Sequence, residues 1–221
     1  MNLLSKNNTL ILAVVTAAIF TVVLYTFWSF HLPHAYHTIL TKDKNIEVRV
    51  YGPMTVAQMV TSGTRSGAYD VAAKFLKDYF AGANNLNVKM NIQGPLMQQG
   101  LVDVGKVPQH FQDFPLNGTW YTEYPLPLSG IKQVIPVPSN RLVKILTYPE
   151  QRMVTIHFYG APTDEKIITH LKQLEKYIED KKIEVLYNPI LSFNGFTSMP
   201  NFLKRTDIMF RIVALPDSKK K

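Results

Sequence analysis

The chain writes one pattern twice, and this repetition constrains its fold more than any other feature. Asn45–Tyr51 (NIEVRVY) is followed by Gly52-Pro53 and then MTVAQMVTSG (Met54–Gly63). Arg141–Tyr148 (RLVKILTY) is followed by Pro149 and a second extended run through MVTIHFYG (Met153–Gly160). In each pair, β-branched and aromatic residues alternate with polar ones around a proline-bearing turn, the signature of a β-hairpin. An amphipathic helix follows each hairpin. Ala68, Val71, Ala72, Phe75, Leu76, Tyr79 and Phe80 form the first apolar stripe, and Ile167, Ile168, Leu171, Leu174, Tyr177 and Ile178 form the second. Both stripes recur at helical spacing, giving each helix one face to bury. Thr163 can cap the second helix, with Asp164 and Glu165 suiting the dipole of its first turn, and Gly82 stands where the first should stop.

Each helix leads into a proline-containing strand, Asn87–Leu96 or Glu184–Phe193, and each half closes on an extended segment, Thr119–Leu126 or Thr206–Val213. The order is β-β-α-β-β twice, with Tyr51 and Tyr148 97 residues apart. One such unit has a sheet face and a helix stripe but nothing to bury them against, so two units make one core. We expect an α+β domain with one antiparallel or mixed sheet, curved or barrel-like, and both helices on one side. Gly100–Gly118 reads as a long loop between two strands of the first half, and Asp217–Lys221 as a solvated basic tail.

Asn7 to Phe30 contains no charged residue, and Thr9–Phe30 as a helix would rise about 33 Å against a hydrocarbon core of roughly 30 Å. A cleaved signal peptide is the alternative, but its apolar core is shorter; Tyr25, Phe27, Trp28 and Phe30 suit an interfacial belt instead. The expected organisation is a transmembrane anchor over 1–31 that meets the bilayer through residues 9–30. A juxtamembrane linker over 32–41, a domain over 42–216 and a tail over 217–221 follow. The positive-inside balance is nearly even, and the expected placement is single-pass, with the domain on the non-cytoplasmic side. His31, His34 and His37 could form a metal or proton-sensing cluster. Pro33 breaks their phasing and no carboxylate precedes Asp43, which favours a polar linker.

The absence of cysteine removes disulfides, thiolate metal sites and cysteine nucleophiles. No Gly-x-Ser-x-Gly elbow, His-Glu-x-x-His or phosphate-binding glycine loop is present, and nothing fixes the separation of Asp103, Asp113 and Glu123, so no catalytic residues are assigned and no enzyme is expected. The net charge of +8 gathers into dense runs only at Lys181-Lys182 and the C-terminal lysines, which does not make a nucleic-acid interface.

Several motifs, taken in order, resemble the SOUL/haem-binding-protein family. IEVRVYGP leads into MTVAQMVTSG; Tyr79–Asn84 matches a Tyr-x-x-Gly-x-Asn helix end; Met90–Leu96 resembles an Ile-x-Met-Thr-x-Pro-Val strand, with Gln93 and Leu96 departing from it. Trp120–Pro127, Phe158-Tyr159-Gly160, Tyr187-Asn188-Pro189 and Thr206-Asp207-Ile208 continue the series, so the resemblance runs from Asn45 to Val213. It implies a distorted β-barrel of two pseudo-symmetric ββαββ halves with two long helices, here behind one N-terminal transmembrane helix.

The resemblance also implies binding of haem or another tetrapyrrole, on a surface that includes the outer face of the first helix. Carried onto this chain, that stripe is Asp70, Ala73, Lys74 and Lys77, with Ala73, Lys74 and Lys77 as the ligand-binding residues. The lysines can pair with propionates, although a helix's outer face is also polar when it is merely solvated. No axial ligand is expected: His157 alternates away from Val154, Ile156 and Phe158 toward solvent, His170 sits beside the second stripe, and His110 lies in the long loop. Met59, Met90, Met97 and Met153 read as core or pocket wall. Two functions follow as expectations. One is a membrane-anchored, non-catalytic binder of a tetrapyrrole or similar amphipathic ligand. The other is an accessory or structural subunit docking on a larger membrane complex without haem.

Overall fold

A computed structural model of the chain describes residues 11–24, 37–92, 94–101, 117–127, 134–186, 188–195 and 199–214. The chain divides into two units, Met1–Leu32 and Pro33–Lys221. In the first, residues 11–24 are helical (α1) and exposed throughout. Fourteen helical residues rise about 21 Å, short of the roughly 30 Å of a hydrocarbon core. Among the described residues no helix is long and apolar enough to cross a membrane. This corrects the expectation of a transmembrane anchor, and the single-pass placement and bilayer contact through residues 9–30 fall with it. Residues 9, 10 and 25–31 of the expected anchor lie outside the described residues, as do His34 and most of the expected loop, 102–116.

The second unit contains ten strands: β1 (His37–Asp43), β2 (Ile46–Tyr51), β3 (Met54–Thr64), β4 (Leu96–Gly100), β5 (Asn117–Pro125), β6 (Val143–Tyr148), β7 (Gln151–Tyr159), β8 (Glu184–Val185), β9 (Ile190–Asn194) and β10 (Arg205–Ala214). Helix α2 (Arg65–Phe80) follows β3 and α3 (Asp164–Lys181) follows β7. The sheet runs β1-β2-β7-β10-β9-β4-β5-β3-β6, with β8 paired to β10. Leaving out β1 and β8, exchanging each first-half strand for its second-half counterpart reverses this path. Each hairpin's first strand therefore lies on the other half: β2 pairs β7, and β6 pairs β3. β1, an edge strand, occupies part of the stretch read as a linker.

Among the described residues the sheet is open, which corrects the expected barrel: there β1 pairs only with β2, and β6 only with β3. Its curvature nevertheless has a definite cause. β2 and β3 are six places apart in the sheet, about 29 Å if it were flat. Yet only Gly52 and Pro53 separate them, and three peptide links reach about 11 Å. Pro149 and Glu150 impose the same bend between β6 and β7. The two arms fold toward each other without closing hydrogen bonds between them.

Both helices pack on one face. Leu171, Leu174 and Ile178 of α3 meet Val154, Ile156, Phe158, Ile208 and Phe210. Ala72, Leu76 and Phe80 of α2 meet Ala57, Met59, Leu96 and Tyr124. Each fully buried leucine contributes about 1.5–3 kcal/mol. The helix-free face carries its own cluster of Tyr51, Val56, Met97, Met153, Ile190 and Met209. Thr64 and Thr163 cap the helices by accepting from the amides of Gly67 and Lys166. An ion pair of 2.6 Å from Arg65 Nε to Asp164 Oδ1 ties the two helix starts together.

Candidate functional site

The Thr64 cap starts α2 at Arg65, so Arg65, Tyr69, Ala73 and Lys77 descend one side of the helix at four-residue steps. That side borders a cleft of about 680 Å³, within the range of small-molecule sites. The approach to β4 forms one wall, through Ile92, Gly94, Pro95 and Leu96; Tyr124 of β5, Phe193 of β9 and Lys204–Thr206 at the start of β10 complete it. Gly94 is required here, since a Cβ would lie 2.7 Å from Cγ of Pro125. A side chain at this position would push the wall apart.

Asp70, Ala73, Lys74 and Lys77, the stripe implied by the family resemblance, all line this cleft. The helix is turned slightly from the sequence reading: Ala73 is buried, whereas Val71, assigned to the apolar face, is half exposed. The site also contains residues that the sequence reading missed. Tyr69 stacks edge-on against Phe193, with ring centroids 5.1 Å apart, and the Arg65 guanidinium lies 5.7 Å from the centre of the same Phe193 ring. Tyr69, Ala73 and Lys77 share one i, i+4, i+8 line, a signal that could have found Tyr69. No local pattern points to Phe193 or Lys204, which come from the other half of the chain.

The cations around the cleft differ in their commitments. Arg65 is held by Asp164, and Arg205 by Asp207 at 2.7 Å. Lys204 donates to the Asn201 side chain, a neutral acceptor, at 3.0 Å. Lys74 and Lys77 are exposed and have no ion pair among the described residues. Asp70 is the single carboxylate in the lining. The cleft is therefore apolar and aromatic within and cationic at its mouth.

Among the described residues, no histidine or methionine lines the cleft. Tyr69 and Tyr124 are candidate oxygen donors beside the Asp70 carboxylate, but burial pushes both phenols up, with Asp70 adding to the effect on Tyr69 and Tyr69 adding to it on Tyr124. Neither is a phenolate at neutral pH. The residues fit a tetrapyrrole ring and its carboxylates, and among the described residues the lining supplies no histidine, cysteine or methionine to its central metal.

The remaining candidates lie elsewhere. Met97 and Met153 belong to the helix-free face, Met59 to the core under α2, and Met90 packs against that core. His170 stacks on Phe158, centroids 4.3 Å apart. His157 does point away from Val154 and Ile156, but it is half-buried rather than solvated: its Nδ1 is sealed without a partner, and burial together with Arg205 pushes its pKa down. It stands beside a buried ionic cluster. There Arg49, fully buried, pairs with Glu47 at 2.7 Å and Asp207 at 2.9 Å and donates to the Tyr51 hydroxyl at 3.1 Å. Burial raises the Glu47 pKa, but bonds and charge from Arg49 and Lys42 outweigh it and hold the carboxyl at about 2. Glu123 is buried as well and accepts from Gln58 Nε2 and Tyr148 Oη at 3.1 and 3.0 Å. Asp103, Asp113 and His110 lie outside the described residues, and the described residues hold no group of metal-binding side chains.

A family model described as SOUL heme-binding protein matches residues 32–211. Among curated protein sequences, none matches the chain. Solved structures share the fold at low identity. The EcmrR C-terminal domain is 10% identical, with a TM-score of 0.56 over 77% of this chain and 98% of that one. A hydrolase from Listeria innocua is 12% identical, with a TM-score of 0.51 over 78% and 94% of the two chains. An uncharacterised conserved protein from the same organism is 11% identical, with a TM-score of 0.51 over the same shares. At such identities the likeness is one of fold alone.

Proposed function

The chain belongs to the SOUL haem-binding protein family, and from that premise we propose that the cleft beside α2 binds a tetrapyrrole or a similarly flat amphipathic anion, without catalysis. One observation carries the reading. The two lysines without carboxylate partners, Lys74 and Lys77, stand at the mouth of a cleft whose interior is Tyr69, Ala73, Leu96, Tyr124 and Phe193. Propionates pair with the lysines, and the ring leaves water for the aromatic interior. Ala73 matters because a larger side chain there would occupy the ring's space. Haem, if it is the tetrapyrrole, is held by its periphery.

The test is a titration of the full chain with haemin, followed in the Soret region. Saturable binding is expected in the wild type, weakened about ten-fold or more in a Lys74→Glu, Lys77→Glu double variant. Equal affinity in the two proteins would place the ligand elsewhere, and no saturable change in the wild type would sink the reading.

A further inference from the structure

The inner end of the cleft is polar in a way that the mouth does not explain. Tyr124 is 7% exposed and packs against Phe80, ring centroids 5.8 Å apart, while Tyr69 is partly buried against Phe193. Neither hydroxyl has a hydrogen-bond partner among the described residues, and neither is sealed off like the Thr122 or Thr155 hydroxyl. Both residues line the cleft. Burial raises both phenols, so each remains an O–H donor across the neutral range. A ligand that covered them with hydrocarbon would strip them of water and return nothing; a ligand with acceptors at that edge satisfies both.

The ligand that fits has carboxylates at its outer edge and hydrogen-bond acceptors at its inner edge. A closed porphyrin ring lacks the second feature, because the edge opposite its propionates carries vinyl and methyl groups. An open-chain tetrapyrrole, coiled into the porphyrin-like shape, has its two lactam carbonyls at that edge. We infer that the cleft selects an open-chain tetrapyrrole over the closed ring, with the Tyr69 and Tyr124 hydroxyls donating to the lactam carbonyls while Lys74 and Lys77 take the propionates. The inference rests on the binding reading above and adds what sets its specificity.

The test compares biliverdin and haemin on the full chain, as wild type and as the Tyr69→Phe, Tyr124→Phe double variant, which removes two oxygens and leaves both rings. Wild type is expected to bind biliverdin about ten-fold or more tightly than haemin, because a site built to donate hydrogen bonds rejects the analogue without acceptors. The double variant should lose that preference, with biliverdin affinity falling by more than haemin affinity. The lactam carbonyl stretch should shift to lower frequency on binding wild type and less so on the variant. Haemin binding as tightly as biliverdin, or biliverdin affinity indifferent to the two hydroxyls, overturns the inference and leaves the binding reading standing. If neither tetrapyrrole binds, both fall together.

Discussion

The cleft beside α2 and the ionic cluster over β2, β7 and β10 are both rich in cations, yet the charges do opposite things. In the cluster every charged group is answered within the protein: Arg49 by Glu47 and Asp207, Arg205 by Asp207, and Lys42 by Glu47 at 3.1 Å. Apart from the exposed Lys42, its charges are buried or nearly so and serve the fold. At the cleft mouth Lys74 and Lys77 are exposed, lack carboxylate partners among the described residues, and border an apolar space. The difference shows that a cation's use is read from what already neutralises it. Arg65 makes the point within a single site, since it lines the cleft but is committed to Asp164.

Separating the two regions by mutation gives the largest effects. Arg49→Ala leaves Glu47 and Asp207 buried without their shared cation, and breaking such a pair costs about 3–5 kcal/mol. For a chain of this size the melting temperature should fall on the order of 10 °C, while the folded fraction keeps its haemin affinity. A melt unchanged by the substitution would show that the cluster is not structural. Lys74→Glu with Lys77→Glu should do the reverse. Exposed substitutions of this kind usually alter stability by less than about 0.5 kcal/mol, so binding is lost on a protein that melts like wild type. A melting temperature falling in step with the lost binding would mean that the lysines serve the fold too.

The two regions were also unequally legible in the sequence. Both hairpins and both helices of the second unit follow from local periodicity, because alternation and 3.6-residue spacing are properties of neighbouring residues. The stripe Asp70, Ala73, Lys74 and Lys77 came instead from the family resemblance, carried onto the helix by its spacing, and Ala73 proved buried and Val71 half exposed; an apolar pattern fixes a helix's rotation only to about one residue. Strand pairing is not local. Nothing near Asn45–Gly63 says that β2 joins β7 while β3 joins β5 and β6, and that exchange leaves the sheet open where a barrel was expected. The far wall of the cleft, Phe193 and Lys204, was hidden for the same reason. Nothing in the sequence around Arg49 announces its burial, because its partner Asp207 lies 158 positions away. The N-terminal stretch shows the opposite failure: composition suggested a span, whereas the described helix covers only residues 11–24.

Acid provides a smaller and more selective probe of the cluster. The Glu47 carboxyl is held at about 2, below its ordinary value of 4.5. The unfolded chain therefore takes up the proton first. The stability this group contributes is complete above pH 4.5 and is lost as the pH falls through 2. Equilibrium unfolding between pH 5 and pH 2 should fall more steeply for wild type than for Glu47→Gln. Parallel slopes would mean that the carboxylate is not held by Arg49 and Lys42.

Glu123 gives the smallest effect, with the opposite sign. Burial is its dominant influence and pushes its pKa up, although the bonds from Gln58 and Tyr148 and the charge of Arg211 all pull it down. The folded protein thus holds this proton to higher pH than the unfolded chain does, and stability falls as the pH rises past the ordinary carboxylate value. Glutamine reproduces the protonated shape, and its carbonyl oxygen can accept from both Gln58 and Tyr148. Glu123→Gln should therefore match wild type near pH 4 and melt about 2 °C higher at pH 7, where unfolding of the wild type is favoured by loss of the proton that the fold retains more strongly. Should the variant melt lower at pH 7, Glu123 would be an ionised partner of Arg211. The helix-free face would then hold two ionic clusters, which would leave Lys74 and Lys77 at the cleft still further apart in kind from the charges of the sheet.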